Sequence, residues 1–415
     1  PSAVAKEGAT WTFIFYLDGD NNLDSSYTRI FNQLEAAANN PDVQVVALWD
    51  GKTVGDSAYY KVQYDTDLSK LANYTTNVNY WPKGELNMGI TTTVVSFVNW
   101  AQVNYPARYY ALILSDHGSG LGGGMQDETS SYAQLSVRDI GSVLKTVTLN
   151  GANKIDVLYM DACLMAMIED AYQIRDYVDY YVASENLQWT YTVAYTRYIA
   201  ETTGTTTPSQ LATLLSTAYA DEKSVGSINY TISAADMSKL GDLVTAVNSL
   251  AGILRNENYS STMAIAGNNV QRFDNHCNSN PCPDGIDMND EYVDLYHFAH
   301  LVKLNTSSSD VQTAAQSVMD AVDAYIIDEH HRTMSGTQVG HSHGVSIFFP
   351  RAGFKPSFYD GLNLDFAEGT IWGGRQLWST SIAFQDTVAW GQMLVEYVEQ
   401  VYPDAVDDPT LPTLI

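Results

Sequence analysis

Basic side chains are scarce in this chain. Its 415 residues include 21 lysines and arginines against 48 aspartates and glutamates, which gives a formal net charge of −27. A chain with this charge repels nucleic acid and anionic lipid and attracts cationic ligands. The sequence therefore predicts no nucleic-acid partner.

Long apolar runs are absent as well. No apolar stretch reaches the roughly 18 residues that a membrane-spanning helix needs, so we expect no insertion into a bilayer. Hydrophobic residues nevertheless make up 45% of the chain. This content is enough to bury a large core in one big domain or two ordinary ones.

Only three cysteines are present: Cys163, Cys277 and Cys282. The last two lie in the turn-rich stretch HCNSNPCPDG, where a short disulfide loop, two free thiols or half of a metal site would each fit. A disulfide would indicate an extracytoplasmic protein, secreted or held in the cell envelope. Cys163 is then the odd cysteine and needs its own explanation.

Short apolar runs alternate with segments of helical period in the first half of the chain. We predict strands at 12–17, 43–50, 59–64, 108–115, 154–160 and 180–184, and helices that include 24–38, 88–103 and 163–178. Strands separated by helices of this length indicate an α/β fold, with a mostly parallel sheet that helices cover on both faces.

The pattern changes after about residue 205. We predict helices at 208–222, 236–255, 290–303, 308–327 and 386–401, and strands at 228–235 and 343–350. The domain prediction that follows is an N-terminal extension (1–10), a core (11–235), a helix-rich C-terminal subdomain packed on the core (236–402) and a linker or tail (403–415).

Polar residues follow the ends of the predicted strands. His117 comes after the strand at 108–115 and Cys163 after the strand at 154–160, with room for one crossover helix between them. Ligands bind at the carboxyl ends of parallel strands, so we expect both side chains at one edge of the sheet. Alone, such a cysteine is usually a small buried residue, and such a histidine is often a loop residue. Together they are typical of a nucleophile and its base, and the predicted helix 163–178 would lower the pKa of the Cys163 thiol.

Four stretches resemble one family, the clostripain-like cysteine peptidases, which are relatives of the caspases, gingipains and legumains. They are FYLDGDNNLD, ALILSDHGSG, VLYMDACLMAMIEDAYQIRDYVDYYVASE and GVSIFFP. The resemblance covers nearly all of residues 11–350 and implies a caspase-like fold. It implies that His117 is the base and that Cys163 forms an acyl-enzyme. The backbone N–H groups of Gly118 and Cys163 would hold the oxyanion.

The resemblance also implies a substrate class. The family cleaves after arginine, and less readily after lysine, with an acidic residue two positions before the cysteine in the S1 pocket, which here is Asp161. A carboxylate there would bind a guanidinium through two hydrogen bonds. Alternatively, Asp161 only anchors its turn, and Glu185 is then the next candidate. The stretch ENLQWTYTVAY (185–195) departs from the Pro-Gly and Gly-Trp elements that the family usually has there.

Many family members cleave themselves between the histidine and the cysteine. The basic residues in this interval are Arg138, Lys145 and Lys154. Arg138 adjoins the polar segment 125–137, which we expect to be exposed, and it is the predicted processing site.

Many family members also need calcium, although the chemistry itself needs no cofactor. The stretch DGDNNLD offers hard oxygen ligands of the kind that calcium binds: Asp18, Asp20, Asn22 and Asp24. A helix cap at Asp24 would explain much of the same stretch.

Two other classes of function remain as alternatives. A zinc-dependent hydrolase would use the histidines of the HSH motif, His341 and His343, with His276, His330 and His331 as further candidates. The adjacent pair His330 and His331 lacks the spacing that places two ligands on one helical face. The third reading is a catalytically silent binding module of the same fold.

Overall fold

The computed structural model describes residues 9–72, 74, 79–189, 194–224, 228–275, 286, 290–333, 339–349 and 389–401. The strands are β1 (Ala9–Asp18), β2 (Val43–Asp50), β3 (Ser57–Lys61), β4 (Tyr80–Gly84), β5 (Ala107–Ser115), β6 (Gly124–Asp127), β7 (Ala133–Leu135), β8 (Ile155–Asp161), β9 (Val178–Ala183), β10 (Tyr230–Asp236), β11 (Arg272–Phe273), β12 (Tyr292–Asp294), β13 (Ile326–Arg332) and β14 (Ser346–Phe348).

The α-helices are α1 (Asp24–Ala37), α2 (Thr91–Asn104), α3 (Val137–Val147), α4 (Ile168–Ile174), α5 (Ala194–Glu201), α6 (Pro208–Lys223), α7 (Leu240–Leu254), α8 (Ser260–Asn269), α9 (Leu295–Leu304), α10 (Ser309–Tyr325) and α11 (Ala389–Val401). No helix within these described stretches combines the length and the apolar character that crossing a membrane requires.

Nine strands form the central sheet, in the order β13-β10-β9-β8-β5-β1-β2-β3-β4. The five strands from β9 to β2 run parallel to one another. Antiparallel strands extend the sheet at both edges, β3 and β4 on one side and β10 and β13 on the other. The predicted α/β fold around a parallel sheet is therefore confirmed.

Alternate residues of the parallel strands enter two separate cores. On β1, Ile14 and Tyr16 pack on one face with α2, α3 and α4. Phe13 and Phe15 pack on the other face with α1, α5 and α6. Successive side chains of a strand point to opposite faces, so a strand covered by helices on both sides must be apolar throughout. This explains the unbroken apolar runs in the sequence.

Local sequence signals fix several helix ends. α6 begins with Pro208 at its first position, and the side chains of Thr207 and Gln210 form a reciprocal capping box with the backbone. α3 begins with the same arrangement, made by Ser136 and Asp139. These signals account for the close agreement between the predicted and observed start of α6.

The C-terminal part differs from the prediction in several elements, since α8, β11 and β13 were not predicted. The predicted helix 290–303 begins as strand β12, and only α9 is helical. β12 lies between β11 and β14 in a separate three-stranded antiparallel sheet. The residues of β12 therefore form hydrogen bonds with neighbouring strands, although their periodicity predicted the first turn of a helix. Beyond the proposed boundary at residue 235, β13 returns to pair with β10 in the central sheet. The domain division stays a prediction.

Candidate active site

Three neighbouring parallel strands end together at one edge of the central sheet. Ser115, the last residue of β5, lies beside Leu17 of β1 and beside Asp161, the last residue of β8. The loops that follow β1, β5 and β8 therefore meet at this edge. His117 and Cys163 both lie in these loops, as the strand ends predicted.

The loop after β5 folds back on itself and holds His117. Gly118 pairs with Gly124 in an isolated β-bridge, and the backbone N–H of Met125 donates to the carbonyl of His117 at 3.2 Å. The ring atom Nε2 of His117 lies 2.7 Å from Oδ1 of Asn22. An amide oxygen only accepts hydrogen bonds, so Nε2 is the donor in this contact, and in the neutral imidazole Nδ1 is then the unprotonated nitrogen.

The loop after β8 makes a tight turn at the cysteine. Leu164 has a positive φ of 66°, a value in the left-handed region that few non-glycine residues adopt. The N–H groups of Leu164 and Ala166 donate to the carbonyls of Asn186 and Ser184 at 3.0 and 2.9 Å. This segment is therefore paired with the chain that follows β9.

The predicted helix 163–178 is accordingly wrong at its start, because α4 begins only at Ile168. Cys163 does not stand at a helix N-terminus, and no helix dipole stabilises its thiolate. Burial instead raises the pKa of the Cys163 thiol to about 11. The Sγ atom accepts the N–H of Gln188 at 3.3 Å, which offsets part of this effect.

The backbones of the two loops are in contact at Gly118. A Cβ atom on Gly118 would lie 2.4 Å from the carbonyl oxygen of Cys163 and 2.9 Å from its nitrogen. Only a residue without a side chain allows this approach.

Burial also lowers the pKa of His117. At neutral pH the arrangement favours a neutral imidazole and a protonated thiol over an ion pair.

Asp161 is buried below this edge and held by three donors. Ser115 Oγ donates to its Oδ2 atom and Gln188 Nε2 to its Oδ1 atom, both at 2.7 Å, and the hydroxyl of Tyr195 also donates to Oδ2. Burial raises the pKa of Asp161, and these hydrogen bonds oppose the rise. The bond from Ser115 ties the end of β5 to the end of β8.

The loop after β1 carries the predicted calcium ligands. Asp20 lies in a group of three buried carboxylates with Asp50 and Asp127, whose ligand atoms are all within 4.8 Å of one another. We call these three residues the carboxylate cluster. Burial raises the pKa of Asp20 to about 6 and that of Asp50 to about 8. Neighbouring carboxylates add to both effects.

The other predicted calcium ligands have different positions. Asp18 is fully buried, and burial is the main cause that raises the pKa of its carboxyl. The charges of Asp116, Asp127 and Asp50 raise this pKa further, because Asp18 lies next to the carboxylate cluster. Asn22 faces His117. Asp24 is the first residue of α1 and not its cap, which is Leu23, and its carboxylate accepts the N–H of Lys52 at 3.3 Å.

The histidines proposed for zinc make contacts of other kinds. His343 Nδ1 is 3.0 Å from an oxygen of Asp294, and the ring of His341 stacks on that of His297 with centroids 4.3 Å apart. Neither belongs to the group of three metal-ligand candidates found among the described residues. His330 and His331 pair with acidic neighbours two residues earlier, Asp328 and Glu329. His276, Cys277 and Cys282 lie outside the described residues.

The remaining predicted residues are placed as follows. Glu185 is buried, and one of its oxygens accepts the N–H of Gly344 at 3.0 Å. Arg138 is exposed in the first turn of α3, and Lys145 lies in its last turn. Lys154 lies in the loop before β8 and pairs with Asp179 at 3.3 Å.

Sequence reasoning missed several residues of this edge. Asn22 was named only as a metal ligand, and Gln188 and Tyr195 had no role. Asp50 ends a predicted strand, which is the same signal that pointed to His117 and Cys163. Asp127 carries no comparable signal, since the hairpin of β6 and β7 brings it to the edge.

Comparison with known proteins gives consistent matches. Residues 15–383 match the model of the clostripain family, Peptidase_C11. The clostripain of Hathewaya histolytica is 25% identical over an alignment of 413 residues. The match covers 84% of this chain and 76% of that protein.

Two solved structures have the same fold. A secreted C11 cysteine protease from Bacteroides thetaiotaomicron, in complex with an irreversible peptide inhibitor, has a TM-score of 0.64 at 17% identity, covering 87% of this chain and 98% of that one. An inactive zymogen C11 protease from Parabacteroides distasonis has a TM-score of 0.64 at 16% identity, covering 93% and 99%.

Proposed function

Because the chain belongs to the clostripain family of cysteine peptidases, we propose that it is an endopeptidase that cleaves after arginine, and less readily after lysine, through Cys163 and His117. Membership of the family makes peptides its substrates and argues against a zinc-dependent hydrolase and a silent binding module. The observation that carries the assignment of the two residues is the contact of Gly118 with the backbone of Cys163. It joins the loops that bear the proposed nucleophile and base.

In the proposed mechanism, His117 removes the thiol proton through its unprotonated Nδ1 atom. The Cys163 sulfur attacks the carbonyl carbon of the scissile bond, and the backbone N–H groups of Gly118 and Cys163 stabilise the oxyanion. The imidazolium then protonates the leaving amine, and an acyl-enzyme forms. A water molecule, deprotonated by His117, hydrolyses the thioester and restores the thiol. No cofactor takes part in these bond changes.

The raised pKa of Cys163 supports this order of proton transfer. A thiol with a pKa of about 11 is almost entirely protonated at neutral pH, so the reaction needs a base next to it. A His117 ring with a lowered pKa is neutral at the same pH and can serve as that base.

Asp161 is the proposed acid of the S1 pocket. An arginine guanidinium would take the place of the Gln188 amide on Oδ1 and keep the carboxylate hydrogen-bonded on both oxygens. A charge-assisted contact of this kind contributes about 1.5–3 kcal/mol, or roughly ten- to hundredfold in selectivity. Lysine offers a compact ammonium without the planar fork and should be cleaved more slowly.

Two substitutions test the proposed function. Cys163→Ala should abolish peptide hydrolysis and leave the thermal midpoint nearly unchanged, and substantial residual turnover would refute the nucleophile. Asp161→Asn should lower the ratio of kcat/KM for matched P1-arginine and P1-norleucine substrates by about tenfold or more. Asp156→Asn is the matched control, because Asp156 lies on the same strand and accepts the N–H of Tyr110. An unchanged ratio in Asp161→Asn would leave Glu185 as the next candidate.

Self-processing after Arg138 is also proposed. Arg138 is exposed, but it lies in a capped helical turn, and peptidases bind extended chains, so the first turn of α3 must open before cleavage. The wild type should appear as two fragments and Cys163→Ala as one intact chain. Arg138→Gln should stay intact, whereas Lys154→Gln should still be cut. Cleavage that survives in Arg138→Gln and disappears in Lys154→Gln would move the site to Lys154.

We further propose an extracytoplasmic location, secreted or in the cell envelope. The relative from Bacteroides thetaiotaomicron is a secreted protease, and a disulfide between Cys277 and Cys282 would fit the same compartment. Mass spectrometry of the alkylated, unreduced protein distinguishes a disulfide from two free thiols.

A further inference from the structure

We propose that Gln188 is the residue of the S1 pocket that selects arginine over lysine. Its side-chain oxygen, Oε1, accepts a hydrogen bond from the P1 guanidinium while the carboxylate of Asp161 binds the same group. This inference rests on the proposed function, since it adds a second acceptor to the pocket in which Asp161 is the proposed acid.

Gln188 is held between the proposed nucleophile and the proposed pocket acid. Its backbone N–H donates to Sγ of Cys163 at 3.3 Å, and its carbonyl oxygen lies 3.6 Å from the same sulfur. Its side-chain nitrogen, Nε2, donates to Oδ1 of Asp161 at 2.7 Å. In the proposed mechanism the carbonyl carbon of the P1 residue meets this sulfur and its side chain reaches this carboxylate. The P1 residue must therefore contact Gln188.

The side-chain oxygen of Gln188 is unsatisfied. Gln188 is 8% exposed, and its Oε1 atom is buried with no hydrogen-bond partner among the described residues. The orientation of the amide is fixed, because Nε2 faces both Oδ1 of Asp161 and the hydroxyl of Tyr159. A buried amide oxygen without a donor costs free energy. A ligand that brings an N–H group to this oxygen recovers that cost.

The chain around Gln188 is anchored independently of its side chain. The backbone N–H of Trp189 donates to the hydroxyl of Tyr219 at 2.9 Å, and the indole N–H of Trp189 donates to the carbonyl of Asn229 at 3.0 Å. A guanidinium that binds Asp161 therefore needs to displace only Nε2 of Gln188 from Oδ1. The amide keeps its contact with Tyr159, and Oε1 stays beside the bound group.

A buried lysine makes the pocket depend on hydrogen-bond geometry as well as on charge. Lys223, at the end of α6, acts electrostatically on Asp161, and its Nζ atom lies 3.6 Å from an oxygen of Glu222. Any P1 cation therefore meets a carboxylate whose charge is already partly balanced. This applies to arginine and lysine alike, so the difference between them comes from the acceptors that their N–H groups can reach.

Arginine and lysine differ in how they can satisfy two separate acceptors. A guanidinium is planar and has five N–H groups, so two can bind the carboxylate of Asp161 while another donates to Oε1 of Gln188. An ammonium has its three N–H groups on one atom, and its binding to Asp161 leaves Oε1 without a donor. A hydrogen bond from a charged donor corresponds to about tenfold or more in selectivity.

The test compares kcat/KM for matched P1-arginine and P1-lysine peptides in the wild type, Gln188→Met and Gln188→Glu. Methionine removes the acceptor, whereas glutamate keeps an oxygen there. The arginine-to-lysine ratio should fall about tenfold in Gln188→Met and stay within about threefold of the wild type in Gln188→Glu. Gln44→Met is the control, because Gln44 lies near the start of β2 and donates to the carbonyl of Pro106.

An arginine-to-lysine ratio that Gln188→Met leaves unchanged would overturn the inference. The same fall in Gln188→Met and Gln188→Glu would also overturn it, because the lost bond to Asp161 would then explain both. Each ratio comes from one enzyme preparation, so the fraction of folded protein cancels.

A binding measurement makes the same comparison without cleavage. In Cys163→Ala, fluorescence anisotropy measures the affinity for a labelled peptide with arginine at P1 and for its lysine counterpart. Adding Gln188→Met should reduce the preference for the arginine peptide about tenfold, and an unchanged preference would overturn the inference. Failure of the proposed function appears in other measurements, as turnover by Cys163→Ala or as an arginine-to-norleucine ratio that Asp161→Asn does not change.

Discussion

Gly118→Ala tests the central contact of the proposed active site. The structure gives Gly118 no positive φ, so alanine introduces no backbone strain there. The substitution acts only through the added Cβ, which would lie 2.4 Å from the carbonyl oxygen of Cys163 and 2.8 Å from the Cβ of Ala162. Both obstacles are fixed to the backbone and cannot rotate away.

The size of the effect follows from these distances. Non-bonded heavy atoms settle at about 3.5–4.0 Å, so the loops of His117 and Cys163 must separate by about 1 Å. A displacement of this size in a catalytic constellation can cost about a hundredfold in rate. The loss of one oxyanion donor costs a similar amount, about 10²–10³ in kcat, or about 2.7–4 kcal/mol. We expect kcat to fall by about a hundredfold or more, with a much smaller change in KM.

The assay compares kcat and KM for a P1-arginine peptide in the wild type, Gly118→Ala and Gly241→Ala. Gly241 lies in α7 with no heavy atom within 4 Å of an added Cβ, so alanine there should change nothing. Alkylation of Cys163 and the thermal midpoint are measured in parallel, to show that the thiol and the fold are intact. A Gly118→Ala enzyme with kcat within about threefold of the wild type would refute the oxyanion role of this loop.

Three further predictions concern proton equilibria and orientation. The rate of Cys163 alkylation should keep rising above pH 8, because burial raises the pKa of the thiol to about 11; a plateau below pH 7 would indicate a stabilised thiolate. In protein kept in EDTA, the thermal midpoint should fall as the pH rises from about 4 to about 8. Burial raises the pKa of Asp50 from 3.8 to about 8, so the folded state favours the protonated carboxyl and loses stability as this group ionises. Asp50→Asn should flatten that slope, and a midpoint that rises over this interval would contradict the argument. Asn22→Ala should lower kcat by about tenfold or more and change its pH profile, whereas unchanged kinetics would show that Asn22 does not orient His117.

The sequence allowed the parallel part of the fold to be predicted because burial on both faces imposes unbroken apolar runs. The same runs located the strand ends, and the strand ends located His117 and Cys163. Asp50 could have been found by this reasoning, since it ends a predicted strand and lies beside Asp18 in register. Asp127 could not, because its position depends on a hairpin that turns back toward β1.

The turn at Cys163 shows why local propensity failed. The residues that follow the cysteine, LMAMIEDA, are nearly all good helix formers, so periodicity and propensity both favour a helix from 163. In the folded chain this segment pairs with the backbone after β9, and Leu164 takes a positive φ. Backbone pairing with residues distant in sequence overrides the local preference for a helix, and neither periodicity nor propensity can predict it.

The two interpretations of Asp161 are physically compatible, and this changes how its substitution must be analysed. Ser115 donates to Asp161 across the ends of β5 and β8, so the carboxylate holds together the strands that carry His117 and Cys163. An asparagine has a single side-chain oxygen and cannot accept all three of these hydrogen bonds. Loss of the bond between the two strands would lower kcat equally for every substrate. Loss of a guanidinium contact would instead affect only substrates with a basic P1 residue. A fall in absolute rate therefore reports the anchor, and only a change in the ratio between P1-arginine and P1-norleucine substrates reports the pocket.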